Sequence, residues 1–198
     1  MNSKTMTGGQ AVVESLKVNE VDTVVGLIGS STLEILDALY DSKNIRYIGC
    51  HDERSGIIMS DAYARMKNKH GVFLAGQAGP GATNTVTGLA QAKAAFSPVV
   101  SLAGAISSEH EGKDAFQEVD QQSLFTPVTK KSFKISDTKD IHSVMQEAFK
   151  VAITPRMGPV NINLPRDVMG QTSDFQDPMK YQIEKLPEAK VSSLMKAV

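Results

Sequence analysis

Two polar side chains and one glycine-rich turn stand where this chain could do chemistry. Glu53 lies just past an apolar segment, Ile45-Arg-Tyr-Ile-Gly49, and opens a helical pattern running from Asp52 to Arg65. A carboxylate there either satisfies the positive end of the helix or serves a ligand. The turn is Gln77-Ala-Gly-Pro-Gly-Ala-Thr-Asn84, between the apolar run Gly71-Val-Phe-Leu-Ala-Gly76 and a helical pattern reaching about Ala95. Gly79 and Gly81 around Pro80 make a rigid crossing where backbone can approach a ligand closely. At the carboxyl end of a buried strand, such a crossing is where open α/β sheets bind small molecules. Helix starts also bind phosphates, but neither Lys-Ser/Thr after the glycines nor Gly-x-Gly-x-x-Gly is present. Gln117, in Ala115-Phe-Gln-Glu118, offers an amide to a carbonyl or hydroxyl, or else decorates a surface loop.

The elements that must position these groups alternate along the chain. Thr7-Gly-Gly-Gln10 has the form of a capping box, followed by an apolar face of Ala11, Val12, Leu16 and Val21. Thr23–Leu27 reads as a strand. Ser31-Thr-Leu-Glu34 reads as a second capping box, opening a helix with Leu33, Ile35, Leu36 and Leu39. Strands are predicted at 45–49, 71–75 and 97–103, with helices at 52–65 and 82–95, and Asp52 as an N-cap. The nearly continuous apolar run at 97–103 suits a parallel strand. Beyond a charged loop, residues 128–135 hold a strand, 137–152 a helix, and Gly158–Pro165 a last strand that closes the sheet. This βα alternation predicts an α/β fold: a doubly wound, mostly parallel sheet with helices on both faces. Residues 168–187, with Pro178 and Pro187, have the texture of a linker, and a new helix begins at Leu186. The expected division is a domain over 1–168, then a linker and the start of a second domain over 169–198.

Composition narrows the function classes. A net charge of -1 over 198 residues gives no electrostatic reason to bind nucleic acid or anionic membrane. No apolar run is long enough to span a bilayer, and the N-terminus lacks the apolar stretch of a secretory signal. The single cysteine, Cys50, excludes an internal disulfide, fits a reducing cytoplasmic setting and reads as a buried, inert thiol. The four histidines show no metal-ligand spacing.

Five motifs in order resemble the pyrimidine-binding domain of thiamine diphosphate enzymes, and more narrowly the acetolactate synthase-like branch. They are Gly26-Leu-Ile-Gly-Ser30, Glu53 with Ser60-Asp-Ala-Tyr-Ala-Arg65, Gly79-Pro-Gly-Ala-Thr-Asn84, Ala115-Phe-Gln-Glu118, and Gly158-Pro-Val-Asn-Ile-Asn-Leu-Pro-Arg-Asp167. The resemblance covers about residues 6 to 168. Departures from the family's usual residues fall at Ile28 (proline), Asp52 (histidine), Ala62 (glycine) and Ala78 (serine), and they bear on substrate rather than cofactor. The stretches 26–30 and 116–125 also resemble sulfoacetaldehyde acetyltransferases.

What the resemblance implies is specific. Glu53 contacts N1′ of the cofactor's aminopyrimidine, where a carboxyl group in a largely apolar cleft can share a proton with the ring. Ile28, Gly29, Gln77, Gly79, Pro80 and Asn84 border the ring, and Phe116 and Gln117 lie beside the substrate. The diphosphate and Mg2+ are held by a different domain, from a partner subunit, so a homodimer or tetramer is expected and this chain alone should be inactive. FAD has a place in some full enzymes of this branch. The implied reaction decarboxylates a 2-oxo acid and transfers the two-carbon unit. The lack of a His-His pair near Gln117 favours ligation or lyase chemistry over simple decarboxylation. Lys130 and Lys131 either approach an acidic substrate or form a solvated pair. Rival expectations are another carbon–carbon lyase, a subunit naturally split from its second half, and a non-catalytic nucleotide-binding or assembly module.

Overall fold

The computed structural model describes residues 3–182. In chain order the elements are β1 (Lys4–Thr7), α1 (Gly8–Val18), β2 (Thr23–Leu27), α2 (Leu33–Asp41), β3 (Arg46–Gly49), α3 (Glu53–Lys67), β4 (Gly71–Ala75), α4 (Pro80–Asn84), α5 (Val86–Ala94), β5 (Val99–Ala105), α6 (Gln121–Phe125), β6 (Lys131–Lys134), α7 (Ile141–Ile153), β7 (Val160–Pro165), α8 (Arg166–Gly170) and β8 (Thr172–Phe175). Six of the strands form one all-parallel sheet in the order β3-β2-β4-β5-β7-β6, the expected α/β architecture.

Strand periodicity splits the core into two layers. Along β4, Val72 and Leu74 point to one face, while Phe73 and Ala75 point to the other. The first face packs on α1 and α7 through Ala11, Leu16, Ile141, Met145 and Phe149. The second is covered by α3, α4, α5 and α6 through Ile57, Ala82, Leu89 and Phe125. A sheet apolar on both faces must be covered twice, and the wound-over helices do this.

Local sequence accounts for several helix starts. At α1 the Thr7 hydroxyl accepts from Gln10 N at 3.2 Å and the Gln10 side chain accepts from Thr7 N at 2.9 Å, the reciprocal bonds of a capping box. Asp52 caps α3 by accepting from Arg54 N and Ser55 N. Its carboxyl is held down to about 2, chiefly by the Arg54 guanidinium.

Four expectations about the elements need correction or refinement. Ser31–Glu34 is not a capping box: residues 30–32 form a short tight turn, and the Ser31 hydroxyl accepts instead from Ala78 N at 3.1 Å. The 82–95 helix is two pieces, α4 and α5, meeting at Thr85. Gly158–Pro165 does not close the sheet. Its strand β7 is buried throughout and lies inside, whereas β6, with exposed lysines at both ends, forms the edge. Residues 172–175, within the linker-like stretch, form β8, which pairs antiparallel with β1 in a separate two-stranded sheet. The helix expected from Leu186 lies outside the described residues. Cys50 is half-buried rather than buried as expected; its thiol donates to Gly26 O at 3.3 Å, and desolvation pushes its pKa up.

Candidate cofactor and substrate site

From β2 the chain passes to β3 on one side and then to β4 on the other, so the loops leaving β2 and β4 part at their carboxyl ends. Such a switch point opens a crevice. Its two walls touch through glycines: a Cβ on Gly29 would lie 2.3 Å from Gly76 C, and one on Gly76 would lie 2.3 Å from Gly29 N. Ser31 N donates to Gly76 O at 3.0 Å, completing the junction.

Glu53 is the first residue of α3 and is only 6% exposed. Its Oε2 accepts from Asn84 Nδ2 at 3.0 Å, the only side-chain hydrogen bond it makes among the described residues. Its Oε1 lies beside the glycine turn, 3.3 Å from where a Gly81 Cβ would be. One carboxylate oxygen is therefore fixed and the other is uncommitted, next to backbone that carries no side chain. A heterocycle bearing a proton-sharing nitrogen is the kind of group this half-satisfied, buried carboxyl can meet.

Gln77 ties the crevice together. Its Oε1 accepts from Ser30 N at 3.0 Å and Ser30 Oγ at 3.1 Å, while its Nε2 donates to Gln117 Oε1. Gln117 thereby joins the site from a loop far away in sequence. The two loops meet closely: Gly79 has φ +63°, and a Cβ there would lie 2.4 Å from Gln117 O. Ile28 and Phe116, 69% and 87% exposed, stand out from the crevice as uncovered apolar side chains. Pro80 starts α4 at the first helical turn, where its missing N–H costs nothing.

Ile28, Gly29, Glu53, Gln77, Gly79, Pro80, Asn84 and Gln117 thus converge on the junction of the β2 and β4 loops, with Phe116 beside Gln117. Lys130 and Lys131 do not join them. They sit at the amino end of β6, opposite the crevice; Lys130 donates to Val151 O and Thr154 O at the end of α7, and Lys131 pairs with Glu147. Arg54 is spent on Asp52, and His51 is exposed. Tyr63 bonds Asp22 just before β2, and Arg65 pairs with the buried Asp61, which also bonds Gln91 of α5.

Sequence reasoning missed the roles of Ser30 and Ser31, which hold Gln77 and the Ala78 amide. It also missed the recess beyond Gln77, of about 370 Å3, whose lining includes Ser107, His110 and Arg166. Adjacency to the Gly26–Ser30 motif was the only available signal for the serines. For Arg166 it was its place at the end of the last strand motif.

Fold and crevice together define a doubly wound α/β ligand-binding domain with a buried carboxylate at its switch point. The family profile described as "Thiamine pyrophosphate enzyme, N-terminal TPP binding domain" matches residues 6–124. The chain belongs to that family. It is 39% identical over 90% of its length to a probable acetolactate synthase large subunit of Methanocaldococcus jannaschii, covering 29% of that protein. Identity to the acetolactate synthase large subunit of Corynebacterium glutamicum is 38% over 90% of this chain and 28% of that one. To the isozyme 2 large subunit of Escherichia coli it is 39%, over 86% and 31%. The chain thus spans just under a third of the length of these relatives. No helix among the described residues is long and apolar enough to cross a membrane, and no group of His, Cys, Asp and Glu among them is arranged to hold a metal.

Proposed function

We propose that this chain supplies the aminopyrimidine half of the cofactor site in an acetolactate synthase-like enzyme, one that decarboxylates a 2-oxo acid and transfers the two-carbon unit. The observation that carries this reading is Glu53: buried, with Oε2 held by Asn84 and Oε1 uncommitted beside the Gly79–Gly81 turn. Thiamine diphosphate, when bound, supplies a carbon nucleophile and an electron sink for decarboxylation. Glu53 Oε1 holds the proton shared with the ring nitrogen, and Asn84 keeps the carboxyl from turning away. Gly79 and Gly81 let main chain lie against the ring where a side chain would intrude. Gln77 positions the Gln117 amide for a substrate carbonyl or hydroxyl. Ile28 and Phe116 form the apolar rim that keeps water out once the site is covered.

The cover comes from a second subunit on this reading. Ile58, Met59 and Met66 lie exposed on α3 at helical spacing, and Ile28 and Phe116 are exposed at the crevice. A partner's diphosphate-binding domain, carrying Mg2+, suits that surface in a cytoplasmic homodimer or tetramer, with FAD as a further ligand of the complete enzyme. On this reading the stretch beyond β8 leads from this domain towards the enzyme's next one.

Glu53→Gln in the full-length protein tests the assignment. Turnover of 2-oxo acid should fall roughly 10^2- to 10^4-fold, the range for loss of a general acid–base group, while the folded state persists by circular dichroism. A variant retaining wild-type turnover would refute the role.

A further inference from the structure

We propose that Arg166 is a specificity-determining residue that docks a negatively charged group of the substrate, a carboxylate or sulfonate, at the mouth of the crevice; this rests on the cofactor reading above. Arg166 follows β7 directly and so stands at the carboxyl end of the sheet, where Ser30 and Gln77 also stand. These three, with Ser107, His110 and Gln117, line the recess of about 370 Å3 next to the catalytic crevice. No carboxylate lines it, and the guanidinium is its one permanent charge. A neighbouring recess of about 240 Å3 beyond Gln121 contrasts with it: Glu111, Glu118 and Asp120 outnumber Lys134 there.

The guanidinium is also available. Among the described residues its only acidic contact is Glu34, with Nε 3.8 Å from Oε1, too long for a hydrogen bond. The adjacent carboxylate of Asp167 is engaged elsewhere, its Oδ1 accepting from Ser108 N at 2.9 Å and Ser108 Oγ at 3.3 Å. That bond pins the turn at 108–110 against α8, which sets His110 on the rim that Arg166 occupies. Lys130 and Lys131 are committed at the opposite end of the sheet. A planar fork of N–H donors facing an acid-free recess matches the paired oxygens of a carboxylate or sulfonate.

The experiment compares full-length wild type with Arg166→Gln and Arg166→Lys, using pyruvate, sulfoacetaldehyde and uncharged acetaldehyde as substrates or acceptors. In Arg166→Gln, KM for the charged substrate should rise about 10- to 100-fold, the loss of one charge-assisted contact, with kcat changed little. Acetaldehyde KM should stay level, and Arg166→Lys should recover part of the loss. Which anion shows the rise identifies carboxylate or sulfonate. Unchanged KM for both anions, an equal rise for acetaldehyde, or a fall confined to kcat would overturn the proposal. Calorimetric binding of thiamine diphosphate should be equal in wild type and Arg166→Gln. Failure of the wild type to bind it would overturn both the cofactor reading and the role of Arg166.

Discussion

Glu53 and Asn84 lie 31 residues apart and meet as carboxylate and amide at 3.0 Å. Removing the amide leaves a buried carboxylate with no side-chain partner, free to rotate from its productive direction. Asn84→Ala should therefore lower kcat/KM about 10- to 100-fold in the full-length enzyme; steady-state kinetics would show it, and a loss below twofold would refute the positioning role. Gly79 carries a different constraint. Its φ of +63° and the nearby Gln117 carbonyl leave no room for a methyl group. Gly79→Ala should destabilise the fold by about 1–3 kcal/mol, read as a lower urea midpoint. Motif spacing marked both residues as important. It could not disclose that Gln77 links Ser30 to Gln117, because those bonds span 47 and 40 residues.

Elements were legible wherever local chemistry decides them. The capping box at Thr7 is a contact over three residues, and it forms as read. Thr7→Ala should cost about 1 kcal/mol in chemical denaturation. The similar pattern at Ser31–Glu34 failed because a tertiary partner, the Ala78 amide, takes the Ser31 hydroxyl. Strand β8 has the texture of a linker because three of its four residues are polar and carry no apolar period; its pairing with β1 and the burial of Phe175 order it. A chain ending at residue 168 would lose that pairing and expose the Phe175 site. It should melt well below one ending at 182, by at least the roughly 2–3 kcal/mol of a buried aromatic. Equal melting temperatures would place the domain limit at 168 instead.

On the scale of the molecule, acid should loosen the structure through His70. Burial pushes its pKa down to about 4, and Nε2 bonds Phe149 O at 2.9 Å while Tyr181 packs against the ring edge. The folded state holds this imidazole neutral, whereas the unfolded chain takes up a proton near the ordinary value of about 6.5. Its contribution is therefore complete above pH 6.5 and is lost as pH falls towards 4, by up to about 3 kcal/mol. Denaturant titrations at pH 7 and pH 5 should show the loss, and His70→Gln should flatten it. On the same scale, the proposed function requires that this chain alone lack the diphosphate half of its site. Measurable pyruvate turnover by the 198-residue chain with thiamine diphosphate and Mg2+ would contradict that.

The amino-acid sequence by itself determined the βα alternation and the helix caps at Thr7 and Asp52, since these depend on periodicity and on contacts a few residues apart, whereas the crevice residues were named by the resemblance of its motifs to a known family. Only the tertiary structure decided that β7 lies inside β6, that β8 returns to β1, that Lys130 and Lys131 face away, and that Arg166 borders the recess. Those outcomes depend on which buried faces and polar groups compete for the same partners. That competition is between residues far apart in the chain, where local pattern carries no information.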